Sequence, residues 1–212
     1  MSHTVGIRQA QKQKTRRALL DAALELLEDQ SLSSLGLREV TRAAGIAPTA
    51  FYRHFHSTAD LGVALVEEAL GSLHPMVRTT VSMSDDERIP HAVRLIAQHV
   101  RSHPAHIRFI ARERHGGVQP VRDAIRAQLS RFARELSDEL SNGPAVADWT
   151  GDDLLMLGHL YVDQLLSTAS LFMEALETPD GTEPSAEEWE RVAHAATRQL
   201  RLIHIGSRHW LD

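Results

Sequence analysis

A seven-residue segment of the chain, 48–54, carries side chains whose types suit contacts with DNA. Thr49, Ala50 and Arg53 can contact base edges or a thymine methyl group, whereas the Tyr52 hydroxyl and the His54 ring suit phosphates. Basic residues upstream, Lys12 among them, can add phosphate contacts through side chains and through the free backbone N–H groups at a helix start. The candidate DNA-contacting residues are Lys14, Arg16, Arg17, Arg38, Pro48, Thr49, Ala50, Tyr52, Arg53 and His54.

These side chains need two short helices joined by a tight turn. Apolar spacing predicts a helix over 37–44 that ends at Gly45, the residue type best suited to a left-handed turn, and a second over 48–55 that Pro48 can open. A longer helix over 14–28 precedes them. The residues expected to hold the helices at a fixed angle are Leu37, Val40, Ala44, Ile46, Phe51 and Phe55. This pattern predicts a helix-turn-helix whose second helix enters the major groove.

The distribution of charge agrees with this prediction, although the net charge of −5 does not. Residues 1–56 contain eight Lys and Arg against five Asp and Glu, a balance of +3, and the remainder carries −8. A basic end on an acidic chain is typical of a DNA-binding domain attached to a body with another role. A solvated basic tail would give the same counts.

The rest of the chain shows apolar positions at helical spacing and no sustained period-two alternation, so the fold class is all-α, with about nine helices. Pro75 should end or kink a long helix that Ser57 caps. We expect a DNA-binding domain over 1–56 and a ligand-binding and dimerisation domain over 57–212. The predicted helices of the second domain are 57–81, 90–101, 104–115, 118–140, 152–177 and 185–209, with loops at 142–144 and 178–184.

The run 37–55, LREVTRAAGIAPTAFYRHF, resembles the helix-turn-helix signature of TetR-family repressors, and 14–23 resembles the first helix of that family. More narrowly, 37–40, 45–49, 51–55, 60–62 and the Arg112-Glu113-Arg114 motif are similar to the FabR and DesT branch, which controls unsaturated fatty acid synthesis. The resemblance implies a homodimeric repressor that binds a palindromic operator and responds to a long-chain fatty acyl-CoA. Three positions depart from the family: Gly36 replaces a Ser or Thr cap, Ala50 replaces a frequent Ser or Thr, and Thr58 stands where a phosphate-contacting Lys is common.

In a repressor of this kind, the ligand pocket would be lined by residues of the middle helices. The candidates are Phe109, Arg112, Leu129, Phe132, Tyr161, Leu165 and Phe172. Apolar residues at helical spacing are more often plain core than the lining of a ligand pocket, and Arg112 can hold acyl-CoA phosphates or pair with Glu113 and other acids. An aromatic content of 5% favours an aliphatic ligand over a stacked planar one.

The last two helices carry apolar stripes that fit either a four-helix interface between two chains or an intramolecular core. The stripe residues are Leu154, Leu157, Tyr161, Leu165 and Leu171, followed by Val192, Ala196, Leu200 and Ile203.

Other function classes lack support in the sequence. His99 and His103 have metal-ligand spacing, but the His-Glu-x-x-His signature is missing, the chain has no Cys, and Pro104 interrupts the helix, so we expect no metal and no cofactor. No nucleophile elbow or phosphate loop indicates an enzyme. The competing hypothesis is that 57–212 is an enzyme or small-molecule carrier and that the helix-turn-helix domain is vestigial. Without a signal peptide pattern or an apolar run of about 18 residues, we expect a cytoplasmic protein. Within the regulators, a sensor of drugs that controls efflux genes is the alternative.

Overall fold

The computed structural model describes residues 2–81, 83–141, 146, 148–177 and 185–210. They form helices and connecting turns without a strand, so the all-α class is confirmed. The predicted loops at 142–144 and 178–184 lie outside the described residues. The helices are α1 (Ser2–Leu26), α2 (Leu37–Ala43), α3 (Pro48–Phe51), α4 (Thr58–Gly71), α5 (His74–Val81), α6 (Asp85–Ser102), α7 (Pro104–Glu113), α8 (Gln119–Leu140), α9 (Gly151–Leu176) and α10 (Ala186–Ser207).

Several predicted helices differ from the structure; the helix predicted over 90–101 begins at Asp85, so that Pro90 lies inside α6. The first helix of the chain begins at Ser2 rather than at Lys14: no proline precedes Lys14, and residues 8–13, RQAQKQ, have high helix propensity. The helix predicted over 57–81 is interrupted at Ser72 and Leu73, and Pro75 lies in the first turn of α5, where a missing N–H is tolerated. This interruption brings the described helices to ten instead of about nine.

The chain divides into two compact units, the first made of 1–69 and 108–125 and the second of 70–107 and 126–212. The predicted boundary at 56/57 concerns function and stays a prediction. In the first unit α1 contacts α2, and α2 contacts α3. Its fully buried side chains include Leu19, Ala23, Val40, Phe51, Leu61, Leu65 and Val121.

Local hydrogen bonds fix where several helices begin. The Ser57 hydroxyl accepts a hydrogen bond from the Asp60 N–H at 3.1 Å, so the predicted cap of the fourth helix is confirmed. Thr150 and Asp153 form a capping box, in which each side chain accepts from the other residue's N–H, at 3.2 and 3.1 Å. Such side chains satisfy N–H groups that the first turn of a helix leaves unpaired.

The second unit is built around an apolar core between α6, α9 and α10. The buried members of this core are Ile89, Val93, Ala97, Val100, Ala169, Phe172, Met173, Ala196 and Leu200. α8 and α9 approach closely at Gly158, where an added Cβ would lie 2.2 Å from the carbonyl oxygen of Ala133. None of the described helices combines the length and the apolar character that a membrane crossing requires.

Candidate nucleic-acid interface

The turn between α2 and α3 fixes the angle of the two helices through two backbone hydrogen bonds. Gly45 has φ +66° and donates its N–H to the carbonyl of Arg42 at 3.1 Å, while Ile46 donates to the carbonyl of Thr41 at 2.9 Å. This pair of bonds is the Schellman motif, whose left-handed residue is most often glycine. The predicted glycine turn is therefore present, and the first two helices of a helix-turn-helix are set at one angle.

α3 is shorter than the predicted 48–55. Only Pro48–Phe51 forms an α-helix, and turns follow through His54. The hydrogen bonds from the N–H of Arg53 to the Ala50 carbonyl, 3.2 Å, and from His54 to Phe51, 2.8 Å, span three residues, and the bond from Phe55 to Phe51, 3.0 Å, spans four. Apolar spacing does not separate these tighter turns from an α-helix, because both place residues three apart on one side.

Phe51 and Phe55 anchor α3 and the following turns from beneath. Their side chains are 0% and 2% exposed, and their ring centroids lie 5.6 Å apart. Tyr52, whose ring meets Phe51 edge-on, is 60% exposed. The other predicted contact residues of this segment divide into exposed Pro48, Thr49 and Arg53 and half-buried Ala50 and His54. The structure thus brings the predicted recognition side chains together on one short segment, and their contacts with DNA stay a prediction.

The basic residues of α1 do not lie at a helix start, so the backbone N–H groups beside them are not free. Lys14 follows roughly three turns of helix, and its side chain is exposed. Arg17 pairs with Asp21 at 2.8 Å and with Glu68 at 2.9 Å. Any phosphate contact from this group must therefore come from side chains, and that of Arg17 is already engaged by two carboxylates.

Lys12, Arg16 and Arg53 give the surroundings of His54, beside Phe55, a positive charge. The Arg16 guanidinium lies 4.8 Å from the Phe55 ring centroid. Burial, together with the charges of Lys12, Arg16 and Arg53, lowers the pKa of His54 below its usual value. One guanidinium nitrogen of Arg16 and Nδ1 of His54 are buried without a hydrogen-bond partner in the described chain. A local excess of positive charge of this kind attracts phosphate.

Two exposed arginines of α2, Arg38 and Arg42, add to the positive charge of the first unit. Arg38 is a predicted contact residue, whereas Arg42 was not singled out by sequence reasoning. Arg42 lies one helical turn after Arg38 on the same short helix, and this spacing could have predicted it as a further contact residue.

The predicted ligand residues are divided between the two units. Phe109 and Arg112 belong to the first unit, and Phe109 is 2% exposed. In the second unit Phe172 is fully buried in the core, and half-buried Tyr161 and Leu165 pack against it. Phe132 is buried, and its ring stacks on His74 with 4.2 Å between centroids, while Leu129 is half-buried. An open depression of about 400 Å³ on α6 is lined by none of these residues. A ligand contact by any of them stays a prediction.

Among the described residues Arg112 bonds to backbone carbonyls rather than to an acid, while its contact with acyl-CoA phosphates stays a prediction. Its guanidinium donates to the backbone carbonyls of Leu27 and Gln30, both at 2.7 Å, and of Glu28 at 3.1 Å. The neighbouring Glu113 is 1% exposed and accepts a hydrogen bond from the Leu32 N–H at 2.9 Å. Sequence reasoning noted the Arg112-Glu113-Arg114 motif but not this arrangement, because backbone carbonyls have no signature in a sequence.

The histidines considered for a metal site stack on one another. The rings of His99 and His103 lie 4.7 Å apart, and that of His106 lies 5.9 Å from His103. Burial and the two neighbouring histidines lower the pKa of His99 to about 4. No group of three or more potential ligand side chains in the described residues has metal-binding geometry.

Comparison with known proteins identifies the helix-turn-helix. Residues 19–65 match the family model described as bacterial regulatory proteins, tetR family. Residues 19–65 therefore form a DNA-binding domain of TetR type, and regulators of that family bind DNA rather than act as enzymes. The family predicted from the motif is confirmed.

Three solved structures with this fold carry different ligands or functions. FadR from Bacillus subtilis in complex with stearoyl-CoA is 14% identical, with 87% of this chain and 96% of that chain covered and a TM-score of 0.67. AibR in complex with isovaleryl coenzyme A and operator DNA is 18% identical, with 87% and 97% covered and a TM-score of 0.62. NalD, the secondary repressor of the MexAB-OprM multidrug efflux pump in Pseudomonas aeruginosa, is 19% identical, with 89% and 96% covered and a TM-score of 0.62. At these identities the similarity is one of fold.

Proposed function

We propose that the protein is a repressor that binds a palindromic operator as a homodimer and is controlled by a long-chain fatty acyl-CoA. The proposal that the protein recognises DNA rests on the segment that begins at Pro48. In this segment Phe51 and Phe55 are buried, whereas Thr49, Tyr52 and Arg53 are exposed. Readout of a major groove requires exposed side chains on a segment whose opposite side is fixed in the protein core.

The operator test is selection of bound sequences from random DNA, followed by gel shift over a range of salt concentrations. The double variant Tyr52→Ala/Arg53→Ala should lose specific binding by about a hundredfold, since good base contacts and phosphate contacts each contribute about tenfold or more. Arg134→Ala is the matched control, because Arg134 is an exposed arginine of α8 in the second unit. Absence of any selected sequence would refute the proposal, as would equal loss in the control.

Dimerisation is supported by apolar side chains that the second unit leaves uncovered on α9 and α10. Met156 and Leu160 are 46% and 49% exposed, and Leu202 and Ile205 are 71% and 57% exposed. The stripe members Leu157, Ala196 and Leu200 are instead buried within the unit. A second copy of the chain is the proposed occupant, because two recognition segments about 34 Å apart require two chains on a palindrome.

Sedimentation of Leu160→Asp/Leu202→Asp tests this interface. The variant should sediment as a monomer at concentrations where the unchanged protein is a dimer, since a buried unpaired carboxylate is costly. Met76→Asp is the control, because Met76 is also an exposed apolar residue, 39% exposed, on α5. A dimer that survives in the double variant would place the interface elsewhere.

The acyl-CoA ligand and the control of fatty acid metabolism genes are supported by the resemblance of 37–62 to the FabR and DesT branch. FadR and AibR, which share the fold, were each solved with a CoA thioester. The efflux alternative is supported by the similarity to NalD. Displacement of the selected operator by stearoyl-CoA but not by CoA alone or by aromatic drugs would favour the first function, and the reverse result the second.

A further inference from the structure

The connection between α1 and α2, residues 27–36, is held by the last turn of α7, far away in sequence. Arg112 donates three hydrogen bonds to the carbonyls of Leu27, Glu28 and Gln30. These groups belong to the end of α1 and the turn after it, where carbonyls lack partners within the helix and carry partial negative charge. A planar guanidinium can bond several of them at once, which a lysine ammonium does in a less defined geometry.

Glu113 contacts the opposite kind of backbone group in the same connection. One carboxylate oxygen accepts from the Leu32 N–H at 2.9 Å, and the other is buried without a hydrogen-bond partner among the described residues. A Cβ at residue 116 would lie 2.2 Å from that second oxygen, so Gly116 leaves the space that the carboxylate needs. Two adjacent side chains thus bind carbonyls and an N–H of one short segment, which fixes both its position and its direction.

The same connection leads directly into the helix-turn-helix. Leu32 and Leu35 are 2% and 5% exposed, and α2 begins two residues after Leu35. The Gln30 side chain donates to the Glu39 carboxylate at 3.0 Å, which ties the connection to α2 itself. A change in the position of 27–32 would therefore displace α2 and the turn at Gly45.

We infer that Arg112 and Glu113 are positioning residues for operator recognition: they hold the α1–α2 connection and so set the placement of α2 and α3. This inference rests on the proposed DNA-binding function. All the groups involved lie within the first unit, which includes residues 108–125. Neither side chain needs to contact DNA, since the guanidinium and one carboxylate oxygen are already bonded to the backbone.

The first experiment measures amide hydrogen exchange across 27–36 in the full-length protein. Arg112→Ala should increase exchange of the Leu32 and neighbouring amides by about tenfold or more, since hydrogen bonds to charged groups are among the stronger ones in proteins. Arg114→Ala is the matched control: it removes the same charge two residues away, from a half-buried side chain. Unchanged exchange in Arg112→Ala would overturn the inference even if no operator had been found.

The second experiment compares binding of the selected operator with binding of non-specific DNA. Arg112→Ala should weaken operator binding by about tenfold or more and leave non-specific binding and its salt dependence unchanged, since phosphate contacts determine those two quantities. Arg112→Lys should restore little of the operator affinity, because a lysine keeps the charge but lacks the planar set of donors that the guanidinium has. Equal weakening on both DNAs would show direct phosphate contact by Arg112 and overturn the positioning role.

Glu113→Gln provides a conservative test of the second residue, because an amide oxygen can still accept from Leu32. It should bind the operator within about threefold of the unchanged protein, whereas Gly116→Ala should weaken binding by about tenfold through displacement of the carboxylate. Circular dichroism at the assay temperature separates these effects from unfolding. Operator affinity unchanged in Gly116→Ala would contradict the role of Glu113.

Discussion

In the first unit hydrogen bonds to particular backbone groups place α2 and α3 on an apolar core, whereas in the second unit long helices pack mainly through apolar side chains. The turn at Gly45 and the contacts of Arg112 and Glu113 belong to the first kind. The core of α6, α9 and α10 around Phe172 belongs to the second. Backbone hydrogen bonds are directional and apolar burial is not. The proposed DNA-recognition surface needs side chains with defined directions, whereas a packed helical core needs only filled volume.

The largest test of this contrast removes the central side chain of the apolar core. Phe172 is 0% exposed and its ring lies 4.5 Å from that of Trp189. Phe172→Ala should lower the free energy of unfolding by about 3–5 kcal/mol, the usual cost of a buried Phe, measured by urea denaturation at fixed protein concentration.

Met76→Ala is the control for that variant, because Met76 is 39% exposed, and it should cost less than about 1 kcal/mol. If Phe172→Ala also cost less than about 1 kcal/mol, the core would be loosely packed around that ring. That outcome would favour the prediction that Phe172 lines a ligand pocket.

A second test uses the pH dependence of stability in the same unit. Burial and the rings of His103 and His106 lower the pKa of His99 to about 4 in the folded protein, against about 6.5 when unfolded. Between these values the unfolded chain binds the additional proton. Stability is therefore lost as pH falls from about 6.5 to about 4, by about 3 kcal/mol in total from this group.

His99→Leu should remove this part of the pH dependence while leaving the part due to carboxylates. Urea denaturation at pH 7 and pH 5 should show a smaller loss for His99→Leu than for the unchanged protein. His91→Leu serves as the control, since His91 is half-buried on the same helix, α6. Identical pH dependence in all three proteins would mean that His99 does not remain neutral in the fold.

The contrast also explains which features the sequence could predict. The turn at Gly45 was predictable because its conformation is encoded by one residue and its immediate neighbours. The long helices α8, α9 and α10 were predictable from apolar spacing, whereas the separate α5 and the start of α6 were not. Which side of each helix is buried within the unit could not be predicted, since Leu157 is 4% and Leu160 49% exposed although both are leucines of α9. Periodicity gives the face of a helix but not the partner that covers it.

The contacts of Arg112 show why some features could not be predicted from the sequence. Its three partners are backbone carbonyls between 82 and 85 residues away, and every residue type carries such a carbonyl. The beginning of α1 was missed for a different reason. The apolar residues of its first three turns, Val5, Ile7 and Ala10, form no stripe at helical spacing, so only the helix propensity of residues 8–13 could have indicated this part of the helix.

The smallest predicted effect tests whether backbone groups limit the stability of the first unit. Gly36 is the N-cap of α2, has extended dihedrals of −86° and 139°, and provides no side-chain cap. A Cβ there would meet no atom within 4 Å. Gly36→Ser should therefore stabilise the protein by about 0.3 kcal/mol, because its hydroxyl can accept from an unpaired N–H of the first turn. The full benefit of a capping box is not expected, since the Glu39 carboxylate already accepts from Gln30.

Gly36→Ala is the matched control, because it adds the same Cβ without an acceptor. Alanine is a poor N-cap and lacks the solvent access that glycine gives to the backbone, so this variant should be less stable than the unchanged protein by about 0.5 kcal/mol. The opposite signs of the two variants, measured as shifts of the urea midpoint, are the diagnostic result. If serine and alanine behaved alike, the first turn of α2 would have no unpaired N–H to satisfy, and packing rather than capping would limit the first unit as it does the second.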